Sequence, residues 1–417
     1  MNRPLQSLIL ALLASAGTIS ASATALFTIN AEAAKSSPTQ ERAWVVTVDP
    51  GLDLAAAHTL TLNLPGHAPI QADRLDQQVH DGGLTWHGRA GGKPVTLTTQ
   101  GGRLHGDFHV GLDHYVLSSE RGRTVLSLSS RFDTHRDVET PAPRIQTHSP
   151  TQPAPPKSLS QAIDIRILVA YTGAVATASG STSDLASAAQ FMVGQLNTIY
   201  ASSVASDIQF TLAGLHYVGY DDGIDSAVLL QQFANDASVA QARDAAGADI
   251  VVLLVEHSDF SGRAYMPNTV SVDNAPFAFA LVTRSYGLNY YTFAHEVGHV
   301  MGLDHGGSGP SGGAYAWAQG HIGYVDSAAG YPEGFVTVMA NIGLCGGTPP
   351  CHQVPYFSNP ELTDPEPPVR GRALGVSNVA DSARVLRDVA STVEMYRGAW
   401  TDDELLYANF EESDPTH

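Results

Sequence analysis

The chain has 417 residues, of which 43% are hydrophobic and 15% charged, and a formal net charge of −19. That length admits two domains or more, and that apolar content argues against wholesale disorder. The acidity speaks against nucleic acids and anionic membranes as partners, because their phosphates would be repelled. The charge is unevenly spread: beyond Lys157 there are nine arginines, no lysine and 28 acidic residues, so the whole excess belongs to the C-terminal part.

Residues 1–25, MNRPLQSLILALLASAGTISASATA, join one Arg to an apolar run and then to small residues. This is the anatomy of a secretory signal peptide, with cleavage expected after Ala-Ser-Ala or Ala-Thr-Ala. A membrane anchor is the alternative, but the run is short and broken by Ser, Gly and Thr. The expected destination is extracellular, with the periplasm as a route. Residues 26–140 alternate short apolar runs such as WVVTVDPG, TLTLNLPG and KPVTLTTQGG with turn residues, which predicts a small antiparallel β domain. Residues 141–162 are rich in Pro and Ser and read as an extended linker.

From 163 to 397 strands and helices alternate. IDIRILVAY (163–171), DIQFTLAGLHYV (207–218), ADIVVLLVE (248–256) and AFALVT (278–283) read as strands. Helices are expected over 183–203, 226–246, 289–302 and 382–398. That order predicts an α/β (α+β) domain with a mixed, mainly parallel sheet flanked by helices. The tail, 398–417, is acidic. Cys345 and Cys351 are the only cysteines, and a lone close pair in an exported chain reads as a small structural disulfide.

The chemistry concentrates in FAHEVGHVMGLDH (293–305). On a helix His295 and His299 share one face and can point at a single ion, which is the HExxH arrangement for zinc. Glu296 sits beside that face and can hold a water without being a ligand. His305 would stand ~9 Å beyond His299 if the helix continued, so a turn is required. Gly302, without a Cβ, can end the helix and send the chain back. Three imidazoles plus water make an open, catalytic kind of Zn2+ site, with Glu296 as general base.

HEVGHVMGLDH resembles the extended zinc motif of the metzincin metallopeptidases. GYPEGFVTVMANIG resembles their methionine turn, which would make Met339 its methionine. AWAQGHIGY, VMA, the cysteine loop and YFSNPEL are similar to the bacterial peptidyl-Asp metalloendopeptidases, over roughly residues 163–397. The resemblance implies a metzincin-like catalytic domain with an active-site helix, protein or peptide substrates, and cleavage on the N-terminal side of Asp. That preference calls for a basic pocket, for which Arg263, Arg284 and His352 are the candidates. The N-terminal β domain is then expected to be a propeptide of a zymogen and a partner of the catalytic domain. Residues 1–163 contain no cysteine. Latency must therefore use steric cover or another ligand, with His105, His109, Asp113 and His114 as candidates. Two departures stand out: Gly306 where many relatives have Asp, and Asn341 where some metzincins place a zinc-binding Tyr. YDDGIDS (220–226) reads as a solvated loop rather than a calcium site. The competing reading is a secreted, non-catalytic binding or adhesive protein stabilised by zinc, in which Glu296 would have no task.

Overall fold

A computed structural model describes residues 24–35, 39–129, 137–141 (backbone only), 162–204, 207–257, 260–307, 309–345 and 351–397. Most of the signal segment, most of the linker and the acidic tail lie outside them. Among the described residues no helix is long and apolar enough to cross a membrane.

The N-terminal part is one ten-stranded sheet. In chain order its strands are β1 (Thr24–Ala25), β2 (Phe27–Ala33), β3 (Gln40–Val48), β4 (Thr59–Leu62), β5 (Ile70–His80), β6 (Gly83–Ala90), β7 (Lys93–Gln100), β8 (Arg103–Val110), β9 (Asp113–Glu120) and β10 (Arg123–Ser129). Neighbours run β1-β4-β5-β6-β7-β8-β9-β10-β3-β2, and every pairing but β1 with β4 is antiparallel. The outermost strands of that order, β1 and β2, are consecutive in the chain, so the sheet curls until its ends meet. Alternation along the strands sorts the side chains. Trp86, Leu97, Phe108, Leu117 and Leu126 fill the inside. Thr85, His87, Thr96, Thr98, His105, Asp107 and His109 take the opposite face.

That polar face rests on the second domain. Its six-stranded sheet runs β11 (Asp137–Pro141), β15 (Gly262–Met266), β16 (Phe279–Thr283), β14 (Ile250–Val255), β12 (Ile163–Tyr171), β13 (Ile208–Tyr217). β15 and β16 are antiparallel and the other pairs parallel. The unbroken apolar run IVVLLV makes β14 buried along its whole length, as a central strand covered on both faces requires. β11 lies in sequence at the end of the predicted N-terminal domain yet pairs with the second sheet, so the domain boundary falls earlier than residue 140.

The helices are α1 (Gly173–Ser179), α2 (Thr182–Ser203), α3 (Ser226–Ala234), α4 (Ala237–Ala246), α5 (Arg284–Asn289), α6 (Thr292–Val300) and α7 (Ser382–Val393). α2, α6 and α7 share the larger core with one face of the sheet, and α3 and α4 cover the other. The single helix expected over 226–246 is two, because the Asp236 side chain accepts from the backbone N–H of Ser238 at 2.7 Å and starts α4. The helix expected over 289–302 is shorter: Tyr290 is extended and separates α5 from α6. A small sheet of β17 (Ile322–Gly323), β18 (Gly334–Val336) and β19 (Cys351–Gln353) follows. Cys345 and Cys351 are bonded to each other beside it.

Candidate metal centre

α6 ends at Val300, and Gly302 adopts φ +83°, a left-handed conformation that favours glycine. The Leu303 N–H donates back to the Gly298 carbonyl, which turns the chain sharply. His305 thereby returns to the helix face. The Nε2 atoms of His295, His299 and His305 lie 2.9, 3.0 and 3.1 Å apart. His295 Nδ1 faces the Val338 carbonyl at 2.6 Å and His299 Nδ1 the Leu303 carbonyl at 2.8 Å. A carbonyl only accepts, so both Nδ1 atoms carry protons and both Nε2 atoms present lone pairs. Lone pairs gathered this closely repel one another unless a cation holds them. The donor set, three imidazoles, fits zinc.

Glu296 is fully buried next to this trio. A Cβ at Gly262 would overlap the Glu296 carboxylate, so the glycine that opens β15 makes room for it. Sequence inspection did not find Gly262, which carries no chemistry of its own and is separated from Glu296 by 33 positions of chain. Met339 is also fully buried. A Cβ at Gly298 would stand 2.6 Å from its sulfur, which places the thioether against α6 between the two histidines. The Met339 carbonyl accepts from Gly306 N–H at 3.2 Å, tying this turn to the residue after His305.

Gly306 has a steric cause. A Cβ there would collide with the Gly320 carbonyl, so the Asp that the family resemblance implies cannot stand at this position. A carboxylate is present one residue before the histidine instead. Asp304, 8% exposed, accepts from the backbone N–H of His305 at 2.7 Å and from that of Gly312. Asn341 caps the next turn by accepting from Gly343 N–H at 2.8 Å, and it lines the metal pocket.

The specificity candidates separate. Arg263 donates to Ser226 at 2.8 Å, and Arg284 is held between Glu120 and Glu256. Neither lines the metal pocket. His352 lines an adjoining pocket that shares Ile342 and Gln353 with it. The far wall of that pocket comes from the N-terminal sheet, including Gly111 and Leu112 at the β8–β9 turn. None of the four latency candidates joins the imidazole trio. His105 stacks on Phe191, His109 and His114 stack on each other and on Tyr291, and Asp113 pairs with His67 at 3.1 Å. Asp107, His109 and His114 form a second group of potential ligands. The two rings are stacked 8° from parallel, so their in-plane lone pairs do not converge on one ion. The YDDGIDS loop gathers no ligand group among the described residues, and Asp225 caps α3.

Residues 186–306, which carry all three imidazoles, match the model of a family described as metallo-peptidase family M12B, reprolysin-like. The chain is a relative of zinc metallopeptidases. It is 30% identical over 240 residues to a peptidyl-Asp metalloendopeptidase of Stenotrophomonas maltophilia, covering 56% of this chain and 52% of that protein. A peptidyl-Asp metalloendopeptidase of Xanthomonas campestris is 26% identical over 416 residues, 91% of each chain. One from Pseudomonas aeruginosa is 29% identical over 261 residues, covering 56% of this chain and 40% of that protein. The chain thus spans about half the length of the Stenotrophomonas relative, whereas its likeness to the Xanthomonas one runs through the N-terminal sheet as well.

Proposed function

We propose that the chain is an exported zinc endopeptidase made as a precursor, and that its N-terminal sheet is the propeptide. The observation that carries this reading is Glu296, a carboxylate buried against three converging imidazoles. His295, His299 and His305 would hold the ion, which when bound supplies Lewis acidity to water and to a peptide carbonyl. Glu296 takes the proton of the attacking water onto a carboxylate oxygen and delivers it to the leaving amine nitrogen. Burial of the Glu296 side chain beside Gly262 fixes where that proton is held. A non-catalytic binding protein would have no use for this carboxylate.

Latency rests on steric cover: the β8–β9 turn closes the pocket beside the metal, and β11 lies along the edge of β15. An extended peptide could add as a strand to that same edge once it is vacant. Of the two signal-cleavage sites, the one after Ala23 leaves Thr24 and Ala25 in place to pair with β4. Cleavage on the N-terminal side of Asp is supported by the relatives' names and by His352, the candidate base that lines the adjoining pocket.

Mass-spectrometric mapping of new N-termini in a denatured protein mixture tests the proposal. Termini that begin with Asp, and vanish when zinc is chelated, are expected. Zinc-loaded, processed protein that generates no new termini would defeat it, and termini without a residue preference would remove only the Asp clause.

A further inference from the structure

Three imidazoles are buried in the contact between the N-terminal sheet and the catalytic domain. His87, on β6, places Nδ1 2.6 Å from the Thr198 hydroxyl of α2. His105, on β8, is fully buried and stacks on Phe191 of α2 at 5.5 Å, and neither of its ring nitrogens has a hydrogen-bond partner. His109, four residues on, meets the Tyr291 hydroxyl just before α6. The rest of the seam combines hydroxyl and amide contacts, Thr96 with Thr198 at 2.6 Å and Gln195 donating to Asp107, with the ion pairs Lys93–Asp364 at 2.7 Å, Arg103–Asp184 and Arg284–Glu120. This is a separable kind of interface, more polar than a domain core. A neutral imidazole with a buried, unbonded N–H is a poor choice for permanent packing, because the group has lost its water without gaining a partner.

We propose that these histidines form a latch that holds the N-terminal sheet on the catalytic domain and that acidification opens. Burial drives the pKa of His87 down to about 4 and that of His105 down to about 3, and places that of His109 well below its ordinary value. Exposed imidazoles titrate near ~6.5. The docked state is therefore fully stable above ~6.5 and loses stability as pH falls from there towards the docked values. The surrounding charges do not rescue the docked, protonated forms. Asp76 opposes the shift at His87, but burial prevails. At His105 the help of Asp184 is countered by Arg103 and Arg284. At His109 the neighbours His114, Lys93 and His352 all act in the same direction as burial. Asp107 lies 3.3 Å from His114 and 3.8 Å from His109, and its carboxylate is also engaged by Gln195 and Tyr291. His114, with that carboxylate beside it, is not counted in the latch.

Between pH 7 and pH 5 each buried imidazole should weaken docking about 25-fold, so His87 and His105 together give roughly 600-fold. The uncut chain can report this through a single thiol, since its two native cysteines are bonded to each other. Ser187 is fully buried on the interface side of α2, and its hydroxyl has no hydrogen-bond partner. The labelling rate of Ser187→Cys, divided at each pH by that of free cysteine with the same reagent, measures opening. Val252→Cys in the central strand measures global unfolding. Opening at position 187 should rise by at least several hundred-fold from pH 7 to pH 5, His109 adding to the share of the other two, while position 252 stays protected. In the presence of His87→Gln and His105→Phe the rise should fall to about 25-fold or less. A flat profile at position 187, an equal rise at position 252, or an undiminished rise with both histidines replaced would each overturn the latch.

Discussion

Replacing Glu296 by Ala and His299 by Ala should produce two different defects. Loss of His299 removes one of three ligands, so zinc and hydrolysis should disappear together. Loss of Glu296 leaves the imidazoles in place, so zinc should remain while hydrolysis falls by about 100- to 10,000-fold. Metal content measured beside peptide hydrolysis separates the two, and equal zinc loss in both variants would show that Glu296 holds the ion rather than the proton. Asp304 supplies a subtler test. Its carboxylate fixes the loop that brings His305 back by accepting the N–H of His305 itself at 2.7 Å. Asp304→Ala should weaken zinc affinity by about 10- to 100-fold, read as faster zinc transfer to a chelator, with unchanged transfer refuting the role. Both residues sit in the motif segment, but only Glu296 was legible there. Asp304 looks like an ordinary polar residue until the close approach of Gly320 explains why the carboxylate could not follow the histidine.

The long, strongly patterned elements could be read directly. β12, β14, β16 and α2 follow from unbroken apolar runs or helical spacing, whereas the cap of α2 is Ser181 rather than the Ser183 or Asp184 that the sequence suggests. β15 could not, because GRAYM is short, carries an Arg, and owes its place to pairing with β16. The strand matters out of proportion to its sequence signal, since its first residue packs against Glu296. Gly262→Val should push the carboxylate aside. Hydrolysis should then fall steeply with zinc content unchanged, and full activity in this variant would mean that β15 does not set the position of Glu296. The division between α3 and α4 shows the same limit in reverse. Apolar spacing continues across 226–246, but Asp236 accepts backbone N–H groups locally and starts a new helix.

At the scale of the whole molecule, two sheets were visible in the sequence as a change of period near residue 163, but their contact was not. In the sequence His105 and His109 stand as candidate latency ligands and His87 carries no signal, and only the fold reveals that they face α2 and Tyr291. Maturation should cut within 142–161, the span between β11 and β12, and the N-terminal sequence of secreted protein checks this. β11 then gives that cut an unexpected character. Residues 137–141 stay upstream of the break while forming a strand of the downstream domain, paired from Asp137 with Gly262 to Pro141 with Met266. Severing the chain would leave the two halves clasped by main-chain hydrogen bonds. What had been a tethered clasp becomes an encounter between two molecules, governed by mass action instead of by the tether's effective concentration, which is millimolar in order for short linkers. Freshly cut enzyme should therefore be silent when concentrated and awaken on dilution, and a specific activity that does not change with dilution would show that the clasp does not outlast the cut.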